Sequence, residues 1–192
     1  MGLLLETVCI RSGQAQHLAY HQARMERSTQ ACFGRPAPAI LSQLLTPPPH
    51  TETLRCRILY GETIEKIEYL PYTPRPIQRL KLVETTLEYP FKYVNRDAIE
   101  HLKATHPDAD DIIMVKEGLL TDTTIANIAF FKEGRWYTPH QPLLEGTTRA
   151  RLIDEGVLIP APITKADLPS YSHVALMNAM IGFERLNSVT IE

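Results

Sequence analysis

Two tripeptides of the same composition, Lys116-Glu117-Gly118 and Lys132-Glu133-Gly134, each stand between two short runs of apolar and β-branched residues. A polar turn closed by glycine between such runs is a hairpin signal, which predicts hairpins over Ile112–Leu120 and Ile125–Tyr137. The flanks do not repeat, so the shared tripeptide is common turn chemistry and not an internal duplication. A chain committed to at least two local hairpins cannot be an all-helical bundle. Without regular β-α-β alternation, it is not a doubly wound sheet either.

The other segments are mixed. Leu3–Ile10 is apolar around Glu6 and stops at Ser12-Gly13, which predicts a strand. His17–Phe33 places Leu18, His21, Met25 and Cys32 at roughly helical spacing, ended by Gly34 and Pro36. Thr46-Pro47-Pro48-Pro49-His50 is a connection, because proline lacks the amide donor that a helix interior needs. Leu54–Tyr60, Ile64–Tyr72 and Arg79–Thr85 are predicted strands, the first two turning through Gly61-Glu62-Thr63, and together they read as a meander. Tyr93–His106 carries Val94, Ile99 and Leu102 on a helical stripe closed by Pro107. Thr147 to about Glu155 is a short helix ended by Gly156. The tail reads as a strand at Leu158–Ile163, a short helix near Ala166, and strands at Val174–Met177 and Ser188–Ile191. The class is α+β, with a small N-terminal domain over 1–86 and a larger domain over 87–192.

Composition narrows the partners. Lys and Arg total 20 against 22 Asp and Glu in 192 residues, a formal charge of −2. No broad field draws nucleic acid or an anionic membrane, so a small molecule or a protein is the expected partner. Cys9, Cys32 and Cys56 are odd in number and lack C-x-x-C spacing, which reads as reduced thiols in a cytoplasmic protein, with no metal site. The apolar start at Leu3 is interrupted by Glu6 and Arg11, too soon for a signal h-region or a span. Met1-Gly2 followed by Glu6 lacks the Ser or Thr of a myristoylation motif.

Four places could carry chemistry. Lys92, between Phe91 and Tyr93, sits where desolvation could lower its pKa, as an amine nucleophile requires. The same residues suit a lysine whose stem lies along aromatics while its ammonium reaches water. Asp122, in Thr121-Asp122-Thr123-Thr124, is either a site acid or an ordinary turn carboxylate. Glu145-Gly146-Thr147-Thr148-Arg149 puts glycine, two hydroxyls and a cation at a helix start, fit for a phosphate or for a plain cap at Thr147. His21 and Arg24 share a helix face and could point at one anion, or simply be solvated.

In this order the segments resemble the fold-type IV pyridoxal 5'-phosphate (PLP) enzymes, or class IV aminotransferases. These include branched-chain and D-amino-acid aminotransferases and 4-amino-4-deoxychorismate lyases. The resemblance runs from about Leu4 to Val189. Leu5-Glu6-Thr7-Val8 looks like the family's early strand, and His21-Gln22-Ala23-Arg24-Met25 like its H-x-x-R-L helix. Phe91-Lys92-Tyr93-Val94-Asn95-Arg96 is similar to the lysine motif in its K-x-x-N-R form. Thr121-Asp122-Thr123-Thr124-Ile125-Ala126-Asn127 resembles T-E-x-x-x-x-N, Leu144-Glu145-Gly146-Thr147-Thr148-Arg149 resembles L-x-G-I-T-R, and Asn178-Ala179-Met180 a late N-S/A-L/M segment.

The resemblance implies a D-amino-acid-aminotransferase-like fold, with a reduced N-terminal α/β sandwich domain and a C-terminal pseudo-barrel domain. It implies that Lys92 is the Schiff-base lysine, that Asp122 pairs with the pyridine nitrogen, and that Leu144 packs on the ring. Arg24, Thr147, Thr148 and Asn178 would bind the phosphate. Asp122 departs from the family's usual Glu, and Leu5 stands where relatives often have Phe or Tyr. A typical relative has roughly two further strands before Leu5, and the glycine-rich, arginine-containing substrate loop is not recognisable after Tyr60-Gly61. The lysine motif and Asn178-Ala179 are in the lyase style. The implied activity is therefore conversion of aminodeoxychorismate to 4-aminobenzoate and pyruvate in folate biosynthesis. A class IV aminotransferase acting on branched-chain or D-amino acids is the alternative, and a non-catalytic relative a third. A homodimer acting on a small-molecule amino substrate is expected.

Overall fold

A computed structural model describes residues 2–49 and 52–192. His50, expected in the proline connection, lies outside the described residues, as does Met1. The chain divides into two compact units, one holding the residues up to Pro74 together with Phe91–Asn95, the other Arg75–Pro90 with Arg96–Glu192. The boundary expected from the sequence lies after residue 86. By compactness, the chain changes unit after Pro74, Pro90 and Asn95.

The first unit is a four-stranded antiparallel sheet in the order β2-β1-β3-β4. Its strands are β1 (Leu4–Arg11), β2 (Gln14–Ala15), β3 (Leu54–Tyr60) and β4 (Ile64–Pro71). β3 alternates strictly, with Leu54, Cys56, Ile58 and Tyr60 buried and the residues between them half-buried. The period of two turns every second side chain to one face. That face and the matching face of β1, with Leu4, Val8 and Ile10, enclose a core with Met25 of helix α1 (Leu18–Phe33) and Leu41 of the short helix α2 (Leu41–Leu44). α1 ends as its sequence demands, at Gly34 in the left-handed region with φ 67°.

β2 pairs with β1 only at Ile10 and Arg11, which leaves that edge of β1 open near its start. Lys92–Val94 takes the place. Leu5 N donates to Lys92 O at 2.8 Å, Val94 N donates to Leu3 O at 2.8 Å, and Leu4 opposes Tyr93. This corrects the expected helix from Tyr93. Helix α3 spans Asp97–Ala104, because the first residues of the stripe are held extended by the sheet.

The second unit is a mixed sheet in the order β10-β9-β8-β7-β6-β5-β13, with β11 added to β8 and β12 to β11. Its strands are β5 (Arg79–Glu84), β6 (Asp111–Lys116), β7 (Leu119–Thr123), β8 (Asn127–Lys132), β9 (Arg135–Pro139), β10 (Leu158–Ala161), β11 (His173–Asn178), β12 (Gly182–Leu186) and β13 (Thr190–Ile191). The expected meander is corrected here. β3 and β4 form a hairpin, but β5 runs parallel to β6 in this other sheet.

Both Glu-Gly turns form as expected. Glu117 and Gly118 have φ 53° and 79°, and Glu133 and Gly134 have 51° and 78°. Positive φ at both central residues matches the twist of the flanking strands. Phe130, Ile113, Leu120, Ile128 and Leu176 centre the core. Helix α4 (Thr147–Asp154) packs on β10 and β11, and Lys165–Ser170 forms a 3-10 turn. The fold is α+β, as expected.

Candidate active site

In the first unit the polar centre is Glu6, a fully buried carboxylate on β1. Arg24 grips it with two hydrogen bonds, Nε to Oε1 at 2.8 Å and a terminal nitrogen to Oε2 at 2.6 Å. His21 Nδ1 lies 2.6 Å from the same Oε2. Burial alone would push the Glu6 carboxyl up. The charge of Arg24 and the hydrogen bonds from Arg24 and His21 outweigh it and hold the group at about 2. The common anion toward which His21 and Arg24 point is thus the protein's own Glu6. Tyr60, also buried, is pushed upward by burial and by the neighbouring Glu6 charge.

Lys92 belongs to this unit. The Leu4–Tyr93 pairing puts Lys92 directly opposite Leu5, and successive side chains of extended strands alternate between faces. Tyr93 packs on the core beside α1, so Lys92 and Leu5 share the other face of the sheet. Lys92 is half-buried.

In the second unit Asp122 is fully buried on β7, and both carboxylate oxygens are engaged. Asn127 Nδ2 donates to Oδ1 at 2.6 Å, and Leu144 N donates to Oδ2 at 2.9 Å. Among the described residues it makes no ion pair. Burial therefore dominates and pushes the acid up to about 6, although the hydrogen bonds and the charge of Arg149 pull the other way. Leu144 meets Asp122 through its backbone, and its carbonyl also accepts from Asn127 Nδ2 at 2.9 Å.

α4 begins three residues later, at Thr147. Its N-cap is Gly146, not Thr147, and no side chain caps it. The first amides of a helix have no partner within it, so this is a start at which donors face outward. Thr147 and Thr148 are the first two helical residues, and both are buried. Arg149 is buried too, with a terminal nitrogen donating to Pro139 O at 2.8 Å and an Nε that has no partner among the described residues.

Asn178 closes the set from β11. Its Oδ1 accepts from Met180 N and Ile181 N at 2.9 and 3.0 Å, and its Nδ2 donates to Ile125 O at 3.1 Å. It thereby ties β11 to the turn between Asp122 and Asn127. Arg96 donates to Thr124 O in the same turn at 2.6 Å.

The structure thus gathers Asp122, Leu144, Thr147, Thr148 and Asn178 around one turn and one helix start in the second unit. Arg24 and Lys92 lie in the first. Glu6 and Asn127 carry much of the geometry, yet their sequence signals were weak: a lone acid in an apolar strand, and the last residue of a motif.

The chain matches the amino-transferase class IV family over residues 63–189. An uncharacterised protein of Haemophilus influenzae is 35% identical over 185 residues, covering 93% of this chain and 98% of that protein. The crystal structure of a protein proposed to be a 4-amino-4-deoxychorismate lyase from Haemophilus somnus 129PT superposes with a TM-score of 0.87. It is 30% identical, with 95% of this chain and 98% of that one covered. A proposed aminodeoxychorismate lyase of Schizosaccharomyces pombe is 31% identical over 100 residues, 48% of this chain and 43% of the relative.

Proposed function

Since the chain belongs to the class IV aminotransferase family, whose members are PLP-dependent, we propose that it is a PLP-dependent lyase converting 4-amino-4-deoxychorismate to 4-aminobenzoate and pyruvate. The observation that carries the cofactor is Asp122. A buried carboxylate with two hydrogen bonds and, among the described residues, no ion pair is costly, and it is a candidate functional group for that reason. A protonated pyridine nitrogen is the cation it lacks. The uncapped start of α4 fits a phosphate, with outward amides beside the Thr147 and Thr148 hydroxyls.

PLP, when bound, supplies an electron sink for charge developing at the substrate carbon. In this reading Lys92 Nζ would hold the cofactor and serve as the base for the proton on the carbon bearing the amine. Asp122 would pair with the ring nitrogen, and Leu144 would pack on the ring. Thr147, Thr148, Arg24 and Asn178 would hold the phosphate, Arg24 with its guanidinium oriented by Glu6. The choice of lyase is supported by the near full-length likeness to the Haemophilus somnus protein, proposed to have that activity. A homodimer in the cytoplasm, serving folate biosynthesis, completes the proposal. No helix among the described residues is long and apolar enough to cross a membrane.

The test is incubation of the purified, PLP-loaded protein with 4-amino-4-deoxychorismate, following 4-aminobenzoate and pyruvate. Equimolar release, lost in Lys92→Ala together with the near-visible absorbance, is expected. Ready amino-group exchange with amino acids and an oxo-acid would replace the lyase by an aminotransferase of branched-chain or D-amino acids. A protein without spectral response to PLP would be a non-catalytic relative.

A further inference from the structure

We propose that Asn127 is a positioning residue that fixes the direction of the Asp122 carboxylate and locks it to the start of α4. The acid and the phosphate-binding turn would then be held as one piece. The inference rests on the roles proposed above for Asp122 and α4.

Three observations converge on this side chain. Asp122 and Asn127 are register partners across β7 and β8, and side chains directly opposite on antiparallel strands meet on one face. The Asn127 amide nitrogen bridges two acceptors, Asp122 Oδ1 at 2.6 Å and Leu144 O at 2.9 Å. A primary amide has two N–H donors, so both are committed, one to the acid and one to the segment that leads into the helix. Leu144 N returns a hydrogen bond to Asp122 Oδ2 at 2.9 Å, which closes a ring of three residues.

The third observation is Gly146. Its φ of −70° and ψ of 143° are open to any residue, so backbone freedom does not explain the glycine. A Cβ there would lie 1.9 Å from Asn127 Oδ1 and 3.1 Å from its Cγ. The helix start is therefore seated on the amide oxygen of the side chain whose nitrogen holds the acid. Position 146 cannot carry a Cβ without displacing Asn127. Arg149 is the charged neighbour of Asp122 on α4, and its position depends on the same seating.

The experiment is a carbon-13 carboxyl NMR titration of Asp122 in the full chain, with PLP affinity measured in parallel for wild type, Asn127→Ala, Gly146→Ala and the double variant. Loss of a hydrogen bond to the charged form should raise the Asp122 midpoint by about one pH unit in Asn127→Ala, a tenfold change in its protonation equilibrium. Gly146→Ala should raise it similarly although every polar group is retained. Added to Asn127→Ala it should change little further, since the atom it clashes with is gone. PLP affinity should fall in each variant. If Asn127→Ala does not fold, the Gly146→Ala titration decides alone. An unmoved midpoint in a folded variant, or additive effects in the double variant, overturns the proposal. Absence of PLP binding by wild type would instead defeat the functional reading, while the titration would still decide what Asn127 does to Asp122.

Discussion

Replacing Glu6 by glutamine isolates the charge at the centre of the first unit while nearly preserving shape. Glu6 is fully buried and faces Arg24, whose side chain is 8% exposed, through two short hydrogen bonds. In the Glu6→Gln variant the guanidinium stays buried without its counter-ion, and an amide NH₂ replaces an oxygen that had accepted from Arg24 or His21. Breaking a buried pair from one side costs about 3–5 kcal/mol. The titration gives a second route to the magnitude. A carboxyl lowered from 4.5 to about 2 contributes about 3 kcal/mol at about 1.36 kcal/mol per pH unit. Because the folded-state pKa is the lower one, that stability is present above pH 4.5 and is lost as pH falls toward 2. Urea denaturation followed by circular dichroism should therefore show Glu6→Gln less stable than wild type by about 3 kcal/mol at pH 7. By pH 3, where the wild-type advantage is partly titrated away, the gap should shrink to less than half. A gap below about 1 kcal/mol at pH 7, or one independent of pH, would refute the argument.

Asp122 should give the opposite pH dependence. Its folded-state pKa is raised from 3.8 to about 6, so its contribution is favourable below pH 3.8 and is lost as pH rises toward 6, about 3 kcal/mol in all. Urea midpoints of the PLP-free protein should fall across that window, and saturating PLP should reverse the fall. In the hairpins, Glu133 holds φ 51° before Gly134, a conformation asparagine adopts more readily. Glu133→Asn should raise stability by about 0.5–1 kcal/mol, read as a higher thermal midpoint.

The elements legible in the sequence are those decided by near neighbours. β1, β3, α1 and both Glu-Gly hairpins follow from alternation, helical spacing and turn residues, all read within a dozen positions. Two of the errors, at Tyr93–Val94 and at Arg79–Glu84, share one cause, pairing between distant segments. Val94 fits a helical stripe, yet its amide is taken by Leu3 from the far end of the first unit's sequence, and α3 starts only at Asp97. Arg79–Glu84 reads correctly as a strand, but nothing within it says that its neighbour is β6 and not β4. The site shows the same division. Ordered motifs marked Lys92, Asp122, Thr147 and Thr148. The contact that makes Gly146 a glycine is with Asn127, and turn propensity offers no hint of it.

Two of the buried acids, Glu6 and Asp122, separate structure from chemistry. Glu6 and Asp122 are both removed from water, and both accept short hydrogen bonds. Glu6 has a guanidinium and an imidazole against it and is driven far below the ordinary carboxylate range. Asp122 has amides, with Arg149 only as a more distant charge, and is driven above it. A folded protein gains nothing in stability at neutral pH from the second arrangement, which costs about as much as the first contributes. An acid kept buried, oriented on both oxygens and short of a cation is destabilising until a cation arrives. This asymmetry supports the proposal that Asp122 would meet the cofactor, whereas the role of Glu6 that the structure shows is to hold Arg24 and His21.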